Sequence, residues 1–307
     1  MPVIQVVEFS QHGWADTAIA QARARWYCEQ LEGGAILSFR QPLIRIPETD
    51  QHFLRGVQQA ESVFIKNISY ELTTDRLRGS ATSDAPRVKR ILRAYAELSH
   101  HVVIDLLSPY ASGLRVDYTS FRPLEERGRR LATRARNDLI HIDAFPTRPA
   151  RGRRILRCFT NIHPSSPRVW QIAETFEQLA ERMALAAGLA RRAARGNALS
   201  SRCKQIVVAA ARSVGIPIAY RSPYDRFMLD FHDYLKMHER FQSNARKERI
   251  EFPPGSTWIA FTDMVPHAVL SGQYALEQTF FVEVDSMLLP QRSPLRILEA
   301  LAGCGLV

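Results

Sequence analysis

Two histidines and one carboxylate are the residues of this chain best placed to hold a metal. His141 and Asp143 stand in the β-like run Leu139-Ile140-His141-Ile142-Asp143-Ala144-Phe145. His267 lies far downstream in Asp263-Met264-Val265-Pro266-His267-Ala268-Val269. Side chains alternate along a strand, so His141 and Asp143 share one face while Ile140, Ile142 and Ala144 share the other. His267, with Val265 and Val269 as its inward neighbours, would come from a distant strand and close a 2-His-1-carboxylate triad. That donor set holds iron(II) and leaves positions open for a co-substrate and oxygen. The competing reading is a hydrogen-bonded core pair of His141 and Asp143, because an HxD triplet arises readily by chance. The other histidines point elsewhere. His100 and His101 fall at a helix end, His163 in a Pro/Ser turn, and His232 and His238 on one helix without the i, i+4 spacing of a helical metal pair.

Three protein ligands do not supply the electrons that oxygen activation needs. In such oxygenases these usually come from 2-oxoglutarate, whose distal carboxylate requires a buried cation. The Arg often found soon after the second histidine is absent: position 278 is Gln278, and no Arg or Lys occurs between His267 and Arg292. The alternative lies on the strand-like run Ile155-Leu156-Arg157-Cys158-Phe159-Thr160-Asn161, where Arg157, Phe159 and Asn161 share a face. A lone Arg between apolar neighbours calls for an anion. Arg157 is therefore the expected bidentate partner of the co-substrate carboxylate, aided by Asn161 or Gln278. The competing reading pairs Arg157 with a structural Asp or Glu.

The bulk numbers fit this picture without selecting it. A chain of 307 residues, 46% hydrophobic and 23% charged, has the composition of an ordinary globular protein. No stretch approaches the roughly 20 apolar residues of a membrane span, and the N-terminus does not read as a secretory signal. The expected location is cytoplasmic. Cys28, Cys158, Cys203 and Cys304 form no metal-binding spacing and read as buried small hydrophobes. The net charge of +10 comes almost entirely from arginine. It admits an anionic partner such as nucleic acid, an anionic membrane or an acidic sugar, as well as plain genomic bias.

The elements that must position the triad read as strands, a helical insertion, and strands again. Val3–Val7 and Ala35–Phe39 look like strands, 13–32 like a helix, and 72–83 like a polar loop. Arg87 to Leu107 has helical periodicity with Val88, Ile91, Leu92, Tyr95 and Leu98 on its stripe. Arg115–Phe121 alternates like a strand. Residues 168–247 read as helical, with Trp170, Ala173, Phe176, Leu179 and Met183 at helical spacing and a further helix from about Tyr224 to Arg246. Trp258–Thr262 and Tyr274–Val284 return to strand. The expected fold is α+β: a double-stranded β-helix (jelly-roll, cupin-like) core with flanking helices and a helical insertion at about 168–247, all in one domain spanning 1–307.

The runs around these residues resemble the Kdo hydroxylases. The resemblance is carried by Leu139 to Pro149, Gly152 to Ile162, Pro167-Arg168-Val169-Trp170, Lys66 to Tyr70, and Trp258 to Gln273. It implies an Fe(II)/2-oxoglutarate-dependent dioxygenase that hydroxylates carbon 3 of 3-deoxy-D-manno-oct-2-ulosonic acid (Kdo) on lipid A to give Ko. Succinate and CO2 are the co-products, O2 is consumed, and ascorbate is a candidate stimulant. The family motifs fall on His141, Asp143 and His267 as iron ligands. Expected substrate contacts are Arg148 and Arg154 in the basic loop beside the HxD, with Lys66 and Arg127 as further candidates; a solvated charged loop is the bland alternative. The partner implied is Kdo-containing lipid A, with peripheral contact at the cytoplasmic face of the inner membrane and no nucleic acid. Two other readings compete: a hydroxylase of the same build with a soluble or peptide substrate, and a non-enzymatic basic module. The latter lacks any recognisable nucleic-acid motif.

Overall fold

In the computed structural model, residues 6–9, 17–57, 67–80, 83–197 and 221–307 are described. The strands are β1 (Val6–Phe9), β2 (Ile36–Phe39), β3 (Ile68–Glu71), β4 (Arg76–Arg78), β5 (Leu114–Arg122), β6 (Arg154–Asn161), β7 (Arg168–Ile172), β8 (Glu248–Phe252), β9 (Thr257–Phe261), β10 (His267–Ser271) and β11 (Ala275–Val282). The helices are α1 (Thr17–Glu32), α2 (Glu48–Gly56), α3 (Ala85–Leu106), α4 (Phe176–Met183), α5 (Leu189–Asn197), α6 (Pro223–Met237), α7 (Glu239–Asn244) and α8 (Pro294–Ala302). An eight-stranded sheet runs β1-β2-β9-β6-β11-β5-β3-β4, and a three-stranded sheet runs β10-β7-β8. All pairings are antiparallel except β1 with β2.

Alternation along the strands of the large sheet sorts side chains into two layers. Leu156 and Cys158 of β6, Ile259 and Phe261 of β9, and Leu276 and Phe280 of β11 join the core that α1 and α3 cover. Phe159, Trp258 and Ala260 point the other way. They meet Trp170 and Ile172 of β7, Phe252 of β8 and Val269 of β10 in a second cluster between the sheets. Phe252, Trp258 and Phe159 stack there, with neighbouring centroids 4.1 and 5.1 Å apart, and Trp170 meets all three edge-on. This aromatic wedge holds the two sheets together and forms the floor beneath the metal-ligand candidates.

Several sequence expectations change. Residues 168–172 form β7 rather than the start of a helical insertion, so the helices begin at Phe176 behind a Thr175/Gln178 capping box. Trp170 matched the helical spacing by coincidence, whereas the alternation in Arg168-Val169-Trp170-Gln171-Ile172 is that of a strand. The helix expected from Tyr224 to Arg246 is two: α6 opens with Pro223 and a Ser222/Asp225 capping box, and the chain breaks at His238 before α7. The polar stretch 72–83 contains β4, which closes a hairpin with β3. The α3 stripe continues through Ser99 and Val103, leaving Leu98 exposed. His100 and His101 lie within that helix rather than at its end.

Arg154, expected at the substrate, is fully buried. It pairs with Asp263 through two hydrogen bonds of 2.9 and 3.1 Å and stacks on Phe261 at 3.9 Å. The pair ties the start of β6 to the turn that leads into β10. Removing one partner strands a charge in the core, at a cost of about 3–5 kcal/mol. Asp263→Ala should therefore lower stability by that amount in urea unfolding, and the double variant Arg154→Met/Asp263→Ala should recover much of the loss.

Candidate metal centre

His141 and His267 meet through backbone as well as side chain. The His141 N–H donates to the His267 carbonyl at 3.0 Å, and the His267 N–H donates back at 2.8 Å. The pair forms an isolated antiparallel bridge, so the HxD sits on an extended segment rather than in a strand of either sheet. The alternation argument still holds: His141 and Asp143 face the same cavity. The Asp143 N–H donates to the Thr262 carbonyl at 2.8 Å, which fixes the next inward position. The other edge of the segment is held by side chains of the insertion helices. Gln242 of α7 accepts from the Ile140 N–H at 3.0 Å and donates to the Ile140 carbonyl at 2.9 Å. His232 Nδ1 of α6 lies 2.6 Å from the Ile142 carbonyl.

Among the described residues, ligand atoms of His141, Asp143 and His267 lie within 4.8 Å of one another, and all three residues are buried. Each histidine directs Nδ1 to the carbonyl two residues earlier, His141 to Leu139 at 2.7 Å and His267 to Val265 at 2.8 Å. Those carbonyls fix the Nδ1–H tautomer, so each Nε2 presents a lone pair to the cavity. Burial pushes both imidazoles below the ordinary histidine range, which favours the neutral form a metal requires. Burial pushes the Asp143 carboxyl upward, but the Arg157 guanidinium and the two histidines outweigh it and hold it well below the usual carboxylate range. Two bare imidazole nitrogens and one carboxylate, close together and buried, fit a divalent cation. Trp170 stacks on His267 at 4.7 Å, and His232 sits edge-on to His141 at 4.9 Å.

The cavity around the triad spans about 330 Å³ including its solvent-open mouth, and Arg122, Arg157, Arg168 and Asn137 line it with Trp170. Arg157 Nη1 lies 2.9 Å from Asp143 Oδ2, and its Nε lies 3.1 Å from Glu277 Oε1. Neither contact is aligned as a hydrogen bond, because Asp143 Oδ2 and Arg157 Nε both lack such a partner. Glu277 is bound by Arg122 through Nε at 2.7 Å and through a second, closer Nη2 contact. Arg168 has the longest ion pair of the three cations. Its Nη1 donates to the Gly272 carbonyl at 3.1 Å, its Nη2 lies 3.6 Å from Glu126, and its Nε has no hydrogen-bond partner. Burial and the nearby Arg122 charge push its pKa down to about 10. Gly272 is required beside it: its φ is +130°, and an added Cβ would fall 2.7 Å from Arg168 Cγ.

The remaining expected residues lie elsewhere. Asn161 shares the parity of Arg157 but stands at the far end of β6, where it donates to the Ser166 and Phe252 carbonyls. Gln278 faces the helix layer, accepting from Thr119 Oγ1 and donating to the Asp117 carbonyl. Its neighbour Glu277 is the β11 side chain that reaches the cavity. Arg148 pairs with Asp117 and lies over the Tyr118 and Phe145 rings at 4.0 and 4.5 Å. Arg127 is exposed in a loop. Lys66 lies outside the described residues. The sequence reading passed over Arg122, Arg168, Trp170, Glu277, His232 and Gln242. For Arg168 and Trp170, their i, i+2 spacing in a strand-like run was the available signal.

A family model described as 3-deoxy-D-manno-oct-2-ulosonic acid (Kdo) hydroxylase matches residues 14–304. The chain belongs to the Kdo hydroxylase family. The crystal structure of the Kdo hydroxylase KdoO, a non-heme Fe(II) alphaketoglutarate-dependent dioxygenase in complex with alphaketoglutarate and Fe(III), is 33% identical. It aligns over 99% of this chain and 97% of that one with a TM-score of 0.81. The cobalt(II) complex of KdoO is 34% identical over 98% of this chain and 97% of that one, with a TM-score of 0.81. The complex with succinate and Fe(III) is 34% identical over the same shares, with a TM-score of 0.80. No curated protein sequence matches. The two sheets are thus those of the jelly-roll dioxygenase fold.

His267→Ala should abolish binding of cobalt(II), followed by visible absorption. Gln278→Ala, on the opposite face of β11, should leave that titration unchanged while lowering the unfolding midpoint.

Proposed function

We propose that this protein is an Fe(II)/2-oxoglutarate-dependent dioxygenase that hydroxylates carbon 3 of Kdo on Kdo-lipid A. The observation that carries the co-substrate reading is a convergence of unmet polar atoms. Of the six buried side-chain polar atoms without hydrogen-bond partners among the described residues, four belong to residues lining the cavity of the triad. They are Asp143 Oδ2, Arg157 Nε, Arg168 Nε and Trp170 Nε1. Unmet buried donors are costly. Three such donors beside a metal triad suit a small dicarboxylate that binds the metal with one end and the donors with the other.

His141, Asp143 and His267 would hold the iron, and Arg168, with Trp170 and Arg157, would hold the distal carboxylate. This shifts the main anchor from Arg157, whose guanidinium already faces Asp143 and Glu277, to Arg168, whose Nε faces no acceptor. The bound metal supplies the oxidising chemistry that converts C–H to C–OH as 2-oxoglutarate and O2 become succinate and CO2. The chain's own part is positioning. Trp170 and Val269 exclude water beside His267, and the arginines fix the co-substrate.

The acidic sugar would enter along an open groove of about 900 Å³ that Leu139, Lys236 and Arg136 border. Leu139 stands two residues before His141, so the groove borders the segment that carries the metal-ligand candidates. Among the described residues no helix is long and apolar enough to cross a membrane, and contact with the lipid surface would be peripheral.

Expressing the chain in a bacterium that makes Kdo-lipid A should add one oxygen to Kdo in its lipid A–core mass spectrum; an unchanged mass with active 2-oxoglutarate turnover would overturn the choice of acceptor. Arg168→Ala should raise the KM for 2-oxoglutarate by about 10- to 100-fold, the scale of losing a charge-assisted hydrogen bond in a buried site, with cobalt(II) affinity retained. Gly272→Ala should act in the same direction by displacing Arg168.

A further inference from the structure

The segment that carries two of the three candidate ligands is not a strand of either sheet, yet its backbone is held on both edges. On one edge the partner is β10, through the His141–His267 bridge. On the other, outer edge the partners are two side chains. The Gln242 carboxamide presents one acceptor and one donor to Ile140, as a neighbouring peptide group would. His232 presents one donor to Ile142. Ile140 and Ile142 flank His141, and their peptides are the ones that orient His141 and Asp143.

Both side chains are themselves fixed. Gln242 Nε2 also donates to the Leu235 carbonyl at 2.8 Å, which anchors α7 to the last turn of α6. His232 packs edge-on against His141. With Nδ1 2.6 Å from a carbonyl oxygen, the His232 ring must carry its proton there. His232 is thus a donor behind the ligands.

We infer that Gln242 and His232 are positioning residues of the metal centre: they bind the outer edge of the HxD segment and set the spacing of His141 and Asp143. The inference rests on the metal reading above. It assigns the insertion helices a part in metal binding, in addition to walling the acceptor groove. Residues that orient ligands from behind typically govern metal affinity by 10–100-fold.

The test uses the full-length protein and cobalt(II) as the probe. Wild-type titration by visible absorption examines the metal reading alone; absence of binding there would overturn that reading and this inference with it. His232→Phe keeps a ring against His141 but loses the donor. His232→Asn restores an N–H near the position of Nδ1. Gln242→Met keeps the bulk and loses both contacts to Ile140. The expected result is a loss of cobalt affinity of about 10-fold or more in His232→Phe and Gln242→Met, with His232→Asn nearer wild type. Hydrogen–deuterium exchange of the metal-free protein should show faster exchange over residues 139–143 in His232→Phe and Gln242→Met and not in His232→Asn. Wild-type affinity in both His232→Phe and Gln242→Met would overturn the inference. So would equal weakening by His232→Asn and His232→Phe with unchanged exchange, because packing alone would then account for the effect. Where His232→Phe is too unstable to titrate, the cobalt affinity of Gln242→Met and the exchange of His232→Asn decide.

Discussion

The structure depends on arginine charge enclosed where water is scarce. Arg122, Arg157 and Arg168 come from three different strands and converge on one cavity, facing Asp143, Glu277 and the more distant Glu126. Guanidinium groups in such a place must be matched by anions, or they destabilise the fold that buries them. Glu277 meets two of them and is held well ionised: burial raises its carboxyl, and the Arg122 and Arg157 charges more than reverse that. Arg168 is met only in part, and that unevenness is what the proposed co-substrate carboxylate would relieve. The aromatic wedge below and the metal ligands above are arranged around this charge.

The extended HxD segment shows how the fold and the insertion depend on each other. A strand edge left open beside a metal site would leave peptide groups without partners. Here α6 and α7 cover that edge with an amide and an imidazole, so the helices that shape the approach to the site also complete its frame. The Ser222 capping box strengthens this coupling. Asp225 serves the cap and also accepts from the Arg151 N–H at 2.8 Å, which joins the start of α6 to the loop between the HxD and β6.

Much of this was legible in the sequence, and the failures have identifiable causes. The triad was readable because it needs only strand parity and three residue types, and Val269 was correctly placed beside His267. The inward face of Arg157 was readable for the same reason, but not what it meets, because its partners Asp143 and Glu277 come from elsewhere in the chain. Spacing misled at Gln278: it stands where the usual anchor follows the second histidine, yet β11 turns Glu277 inward. Asn161 had the right parity and the wrong distance along the strand. Arg168 was lost because a short alternating run was absorbed into a longer helical pattern. Arg154 looked like part of a basic loop, and nothing local in the sequence marks Asp263 as its partner. The roles of Gln242 and His232 depend on side chains replacing backbone, which no periodicity reports.

The reciprocal bonds between His141 and His267 bear on how a metal would be gained and lost. Joining two ligands so far apart in sequence costs a large closure entropy when the ion itself must gather them. Here folding bears that cost, since the two residues are already joined by their own peptide groups. Chelation should therefore empty the site and leave a folded protein, unlike small zinc domains that unfold when stripped. The ion would exchange as a ligand of a finished pocket, and its residence time would follow access and donor alignment rather than refolding.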